Sequence, residues 1–365
     1  MTQKLPVCYI LSYYMPEYIR TRTLISALEK FDTVQLYQAR NSSKGLIRYL
    51  QTLSKLVVIR LFHHPKFYIL GFRGYELFWF VRLITIGKPL ILDHMMSPYD
   101  SLLNEHKTIK KGGLVARLIY FYEKSIIYGA QVILTDTDLH KEYFQELFHI
   151  APEKIFAIPV GTDEELFRKD VVSSSDDLPS SFQILFYGSF LPLHGMDVIL
   201  KAASLLRDVP IHFILVGGYK INLSGFHQMI KELDLKNVTH INWVDFEHLP
   251  QLIAQANIGL GGPFGNTGQG NRVITGKTFQ FLAMAKPVIV GETIIDCGFE
   301  DKINCLIVPQ RNEKALADAI YWASQHKTEI EQIGQRGYDL YQSRYSIQRI
   351  SDQLKGVFPY EVPEP

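Results

Sequence analysis

Residues 259–291 read GLGGPFGNTGQGNRVITGKTFQFLAMAKPVIVG, and the order of features there decides how the rest of the chain is read. A glycine-rich loop, 261–270, gives way to two isolated cations, Arg272 and Lys277. A run over 277–285 follows, with Phe279, Leu282 and Ala283 at helical spacing. Lys286-Pro287 stops that helix, and Val288-Ile289-Val290 reads as a buried strand. A loop entering a helix N-terminus presents backbone N–H groups and the positive end of a dipole, and two fixed cations beside it suit a phosphate or diphosphate. The same glycines also suit a loop that only turns the chain.

Outward from this stretch the chain alternates strand and helix. Strands are expected at 6–11, 34–37, 67–70, 90–94, 132–135 and 155–159, with helices over 17–30, 43–62, 75–84, 114–128 and 139–148. Arg20 and Arg22 fall in the first turns of the first helix, close to the end of the first strand. The polar, serine-rich run 169–181 (KDVVSSSDDLPSS) has the composition of a linker. Beyond it strands are expected at 182–187, 211–216, 238–243, 258–260, 288–290 and 306–309. Helices are expected over 196–206, 226–233, 249–255, 277–285, 313–325 and 346–358. This is an α/β pattern of two successive Rossmann-like domains, whose ligand crevices lie at the carboxyl ends of parallel strands. The expected division is 1–168, linker 169–181 and 182–344, with a terminal helix in 345–365 completing the first domain. Asp136-Thr137-Asp138 has the form of a metal and diphosphate ligand, but helix capping is the simpler reading.

The 365 residues are 47% hydrophobic and 21% charged, the composition of an ordinary globular protein of about two domains. The net charge of +1 hides an uneven distribution. Residues 40–124 hold 14 Lys and Arg against 5 Asp and Glu, and the remainder holds 24 against 32. That basic region points to an anionic partner. Its helices are amphipathic and aromatic, YELFWFVRLI over 75–84 among them, which favours a membrane interface over nucleic acid. The basic run Lys107, Lys110, Lys111 precedes another such helix. Apolar runs are broken by Arg82 and Glu123-Lys124 before they reach the roughly 20 residues that span a bilayer. Three cysteines without metal-ligand spacing suit a reducing cytosol. The opening residues read as a strand rather than a signal sequence. The location expected is therefore cytoplasmic, on the inner face of the cytoplasmic membrane.

Several motifs occur in a recognisable order: Ile158-Pro159-Val160-Gly161-Thr162-Asp163 before Phe167; Tyr187-Gly188-Ser189-Phe190 before His194-Gly195-Met196-Asp197; Leu215-Val216-Gly217-Gly218; the 277–289 segment; and Asn304 to Pro309. With these the chain resembles the retaining glycosyltransferases of family four, which have the GT-B fold, two Rossmann-like domains facing across a cleft. The resemblance is strongest over about 155–325.

The resemblance implies transfer of a hexose or N-acetylhexosamine from a nucleoside diphosphate sugar to a hydroxyl, with retention. A lipid-linked or surface-polysaccharide acceptor is the favoured one. It assigns donor-binding roles to Gly188, Ser189, His194, Gly217, Gly265, Gly268, Gly270, Thr278 and Gln280 and a catalytic role to His94, while Arg272 and Lys277 are expected to act in catalysis by taking over neutralisation of the diphosphate. His94 stands where relatives carry a histidine that meets the acceptor or the transferred sugar; a structural histidine is the other reading. No cofactor or metal is required, since the cations could neutralise the diphosphate.

The chain also departs from the family's pattern. Arg272 and Gln280 stand where the family often has two glutamates, and Ser189 and His194 where it has an arginine and a lysine. The first-strand double glycine is replaced by Tyr13-Tyr14-Met15. A catalytically silent relative that binds sugar nucleotide or a partner transferase, and a sugar-nucleotide epimerase, are the alternatives.

Overall fold

A computed structural model describes residues 4–105, 108–171, 181–218 and 220–358. The chain forms two compact units, Met1–Gly161 with Ile347–Pro365, and Thr162–Ser346. The change of unit falls at Gly161/Thr162, ahead of the serine-rich run, of which 172–180 lie outside the described residues.

In the first unit, β1 (Leu5–Leu11), β2 (Val34–Arg40), β3 (Phe67–Leu70), β4 (Leu90–Asp93), β5 (Val132–Thr135) and β6 (Ile155–Ala157) form a parallel sheet in the order β2-β1-β3-β4-β5-β6. The helices are α1 (Ile19–Glu29), α2 (Ile47–His63), α3 (Phe78–Ile84), the single turn α4 (Pro98–Asp100), α5 (Leu114–Gly129) and α6 (Asp138–Phe148). The central strands are short apolar runs buried on both faces, as parallel strands under helices must be.

The second unit repeats the plan with β7 (Phe182–Gly188), β8 (Ile211–Gly217), β9 (Val238–Ile241), β10 (Ile258–Leu260), β11 (Val288–Gly291) and β12 (Leu306–Val308). Their order is β12-β11-β10-β7-β8-β9, again parallel. Around them lie α7 (Met196–Leu205), α8 (Lys220–Glu232), α9 (Leu249–Gln255), α10 (Gly276–Ala283), α11 (Glu313–Gln325) and α12 (Lys327–Arg344). The core is aromatic at its centre, with Phe186 and Phe213 fully buried, each worth roughly 1.5–3 kcal/mol of transfer free energy. The last helix, α13 (Ile347–Lys355), returns to the first unit, where it packs on α1, and Phe358 beyond it meets Phe31 and Phe67.

The 18-residue helix α12 has no counterpart in the sequence reading. Its two glycines look like breakers, yet each is a point of close approach. A Cβ at Gly334 would stand 2.4 Å from the Ala285 carbonyl oxygen, and one at Gly337 2.7 Å from that of Asn304. The glycines let α12 lie directly against the backbone around α10.

Candidate functional site

In the second sheet β7 and β10 are neighbours, but the chain leaves them in opposite directions, β8-β9 one way and β11-β12 the other. Such a switch point opens a crevice at the carboxyl ends of the strands. The loops that follow β7 and β10 are those carrying most of the donor-binding residues expected from sequence.

The end of β7 and its loop are held by close backbone contacts, to the end of β8 on one side and to the loop after β10 on the other. The Gly218 N–H donates to the Gly188 carbonyl at 2.8 Å, and the Gly265 N–H to that of Leu193 at 3.0 Å. A Cβ on Gly217 would stand 2.3 Å from the Gly188 carbonyl oxygen, and one on Gly265 2.0 Å from that of Pro192. The Gly270 N–H donates to Thr267 Oγ1 at 3.0 Å. The N–H groups of Gly265 and Gly270 thus hold the loop's shape rather than waiting for a ligand. Gly268 lies against the guanidinium of Arg272, on the one-turn helix Gly270–Arg272. Phe190 follows Gly188 and Ser189 in the left-handed region, φ 56°, clamped by the Phe186 and Phe226 rings.

Lys277 is the second residue of α10 and only 7% exposed. Its ammonium lies over the Phe186 ring, 4.7 Å from the centroid. Burial drives its pKa down from 10.5 to about 7, and among the described residues no carboxylate holds it up. Gly188 separates it from His194: a Cβ there would stand 3.2 Å from His194 Cε1 and 3.6 Å from Lys277 Cε. The Leu191 N–H donates to His194 Nδ1 at 3.2 Å, so the neutral ring carries its proton on Nε2. Burial, and then the Lys277 charge, push the His194 pKa well below its ordinary value. At the start of α10, Thr275 does not cap the helix; its hydroxyl donates to the Gly261 carbonyl at 2.7 Å. The crevice therefore combines a buried cation, a neutral imidazole donor and a side-chain-uncapped helix start. These are the groups an anionic oxygen requires.

Thr278 and Gln280 make bonds within the protein. The Thr278 hydroxyl lies 3.0 Å from that of Thr275, and the Tyr187 hydroxyl donates to Gln280 Oε1 at 2.7 Å. Both are buried. Tyr187 and Phe186 were missed because alternation marks strand residues as core without showing which of them reach the strand's functional end.

In the first unit, Asp93 ends β4 and His94 follows it, and the two side chains engage different helices, α1 and α5. Asp93 Oδ1 pairs with Arg20 Nη2 at 2.9 Å. That guanidinium also donates to the carbonyls of Ile158, Pro159 and Thr135, so Arg20 ties α1 to three strand ends. His94 is 2% exposed; its Nε2 lies 2.8 Å from Glu123 Oε1 and its ring stacks on Phe144. On the same phenylalanine stacks His140, whose Nδ1 lies 2.6 Å from Asp136. Thr137 caps α6, accepting from the His140 N–H. Among the described residues no group of three or more acidic, histidine or cysteine side chains is placed to hold a metal. Where the expected double glycine is absent, Tyr13, Tyr18 and Phe72 pack into an aromatic cluster at the β1/β3 switch point, with Arg73 over the Tyr13 ring.

Residues 181–326, which contain the β7/β10 crevice, match the family model described as glycosyl transferases group 1. A protein of Escherichia coli K12 with the provisional name colanic acid biosynthesis glycosyl transferase WcaI is 24% identical over 200 residues, 52% of this chain and 47% of that one. D-inositol 3-phosphate glycosyltransferase of Saccharomonospora viridis is 23% identical over 248 residues, 65% of this chain and 57% of that one. The chain thus spans about half the length of the curated relatives it matches. Among solved structures, Anabaena Alr3699/HepE in complex with UDP-glucose superposes with a TM-score of 0.73 at 13% identity, covering 96% of this chain and 98% of that one. Sucrose-phosphate synthase of Thermosynechococcus elongatus gives 0.73 at 15% identity, covering 97% and 98%. With two parallel six-stranded units of this kind, the fold is GT-B.

Proposed function

We propose that the chain is a glycosyltransferase that takes a hexose or N-acetylhexosamine from a nucleoside diphosphate sugar and delivers it to a hydroxyl, with retention of configuration. The observation that carries this reading is Lys277, a cation buried beside His194 at the start of α10 with no carboxylate partner among the described residues. A buried unpaired charge is costly, and such sites are kept where a ligand supplies the counter-charge. The match of 181–326 to glycosyl transferases group 1, and the UDP-glucose complex of a protein of the same fold, point to a sugar nucleotide as that ligand.

In the proposed reaction the anomeric carbon–oxygen bond to the diphosphate breaks, and the acceptor oxygen forms the new glycosidic bond. The acceptor proton leaves with the diphosphate. Lys277 and the Nε2–H of His194 stabilise the negative charge on the leaving diphosphate, with Arg272, on the turn Gly270–Arg272 ahead of α10, as a further cation. No metal is required. The acceptor is proposed to be lipid-linked or a surface-polysaccharide precursor, met at an anionic membrane surface on the cytoplasmic side. This rests on the basic, apolar helices of the first unit and on the colanic acid name of one relative. His94, held by Glu123 in the core, takes a structural part here.

The test is turnover of a panel of nucleoside diphosphate sugars by the purified chain, read as released nucleoside diphosphate. Release from one sugar nucleotide, strongly reduced in Lys277→Met, is the expected result. Tight binding without release would favour the second reading, a silent sugar-nucleotide binder, for which Arg272 and Gln280 in place of the family's glutamates are the specific observation.

A further inference from the structure

We propose that the outer face of α2, α3 and α5 docks onto the headgroup and upper acyl region of an anionic lipid monolayer. This deepens the membrane part of the proposed function and stands apart from its transferase part. The three helices form one surface: α2 touches α3, and α3 touches α5. Cross-links fix them, with Arg60 of α2 donating to the Ile86 carbonyl and the Tyr122 hydroxyl of α5 donating to that of Tyr75.

Each helix buries an inner stripe against the sheet, with Leu56, Val81 and Ile126 fully enclosed. The outer stripe is apolar as well. Leu50 and Phe62 on α2, Phe80 and Leu83 on α3, and Leu118 and Phe121 on α5 are each between 61% and 73% exposed. A helix that is apolar on both faces calls for cover on both, and an exposed patch of this breadth marks a docking surface.

Charge selects the occupant. Exposed Lys44 precedes α2, exposed Lys110 and Lys111 precede α5, and Arg117 lies within it. Of the five acids in 40–124, Asp93, Asp100 and Glu123 are buried, and Glu76 is engaged by Arg48. A second copy of the chain would bring two basic faces together. Nucleic acid would satisfy the cations and leave the leucines and phenylalanines wet. An anionic monolayer satisfies both, with cations at the headgroups, apolar side chains below them and the half-exposed Trp79 and Tyr122 rings at the boundary. No described helix is long and apolar enough to cross a membrane, so the contact is interfacial.

The experiment is flotation of the full chain with phosphatidylcholine vesicles, with and without phosphatidylglycerol, in the absence of any sugar nucleotide. Binding is expected only to the phosphatidylglycerol vesicles. The pair K110Q/K111Q should weaken it about thirty-fold, taking about 1 kcal/mol per cation near an anionic surface. The pair L118S/F121S should weaken it even at low salt. Brominated lipid should quench tryptophan emission in the native chain and lose that effect in Trp79→Phe. All these positions are exposed, so circular dichroism melts should match the parent. A natively melting chain that ignores phosphatidylglycerol overturns the proposal, as does unchanged binding by both paired variants. So does a concentration-dependent dimer that L118S/F121S dissolves. Because no donor is present, failure here leaves the crevice untouched, and failure to turn over sugar nucleotides leaves flotation standing.

Discussion

The ammonium of Lys277 rests 4.7 Å above the ring of Phe186, inside the second unit and with no acid among the described residues to pair with. A lysine kept there for stability alone would be a poor choice. Removing the charge while keeping the length should therefore help the fold. Lys277→Met is expected to raise the stability of the unliganded chain by about 1–4 kcal/mol, on the scale seen when buried ion pairs are replaced by apolar side chains. Thermal or denaturant unfolding checks this. A loss of stability would show that the ammonium has a partner that holds the fold.

The pH dependence follows from the same group. Its folded pKa, about 7, lies below the unfolded value of 10.5, so between those values the unfolded chain binds more protons. Stability of the unliganded protein should rise with pH across that window, and Lys277→Met should lack this contribution. Diphosphate binding requires the charged form. Its affinity should fall by up to about tenfold per pH unit above pH 7, and binding near pH 8 should take up a proton, measurable by calorimetry in buffers of different ionisation enthalpy.

Gly188 occupies the gap between His194 and Lys277 with φ +152°. Gly188→Ala is expected to cost about 1–3 kcal/mol in backbone strain and to push the two side chains apart. Diphosphate affinity should drop with stability, as a paired calorimetric and thermal measurement would show.

Tyr187→Phe removes the hydroxyl that Gln280 Oε1 accepts and leaves that buried oxygen without its donor. A cost of about 1–3 kcal/mol is expected, with diphosphate affinity within about twofold of the parent in the native state. Loss of binding at unchanged stability would return Gln280 to the ligand.

Arg20→Leu should be the most damaging single change in the first unit. It strands Asp93 in the core and frees three carbonyl acceptors, and breaking a buried pair typically costs about 3–5 kcal/mol. The double change with Asp93→Leu should recover part of that loss in denaturant unfolding.

Strand positions were readable because buried parallel strands must be short apolar runs; residues 67–70, 132–135 and 258–260 match their expected bounds. Helix α12 was not, since its surface is polar and its glycines serve a contact whose other half, around Ala285 and Asn304, lies far away in sequence. In the crevice, the glycines were legible because close backbone approach requires them, and the lysine because the proposed diphosphate would call for a cation. Orientation was not: Gln280 and Thr278 fall on the same short helix as Lys277, and only the packed structure shows that their polar ends turn to Tyr187 and Thr275. The pairing of His94 with Glu123 joins residues 29 apart on different elements, which no local pattern announces.

The most direct test is calorimetric titration of nucleoside diphosphates into the native chain and Lys277→Met at pH 6.5 to 7, from about half a unit below the lysine's own pKa up to it. The account predicts binding of at least one diphosphate by the native chain and a loss of at least about a hundredfold in the variant, whose fold is intact or firmer. Equal binding by both proteins, or no diphosphate bound by the native chain, would contradict it.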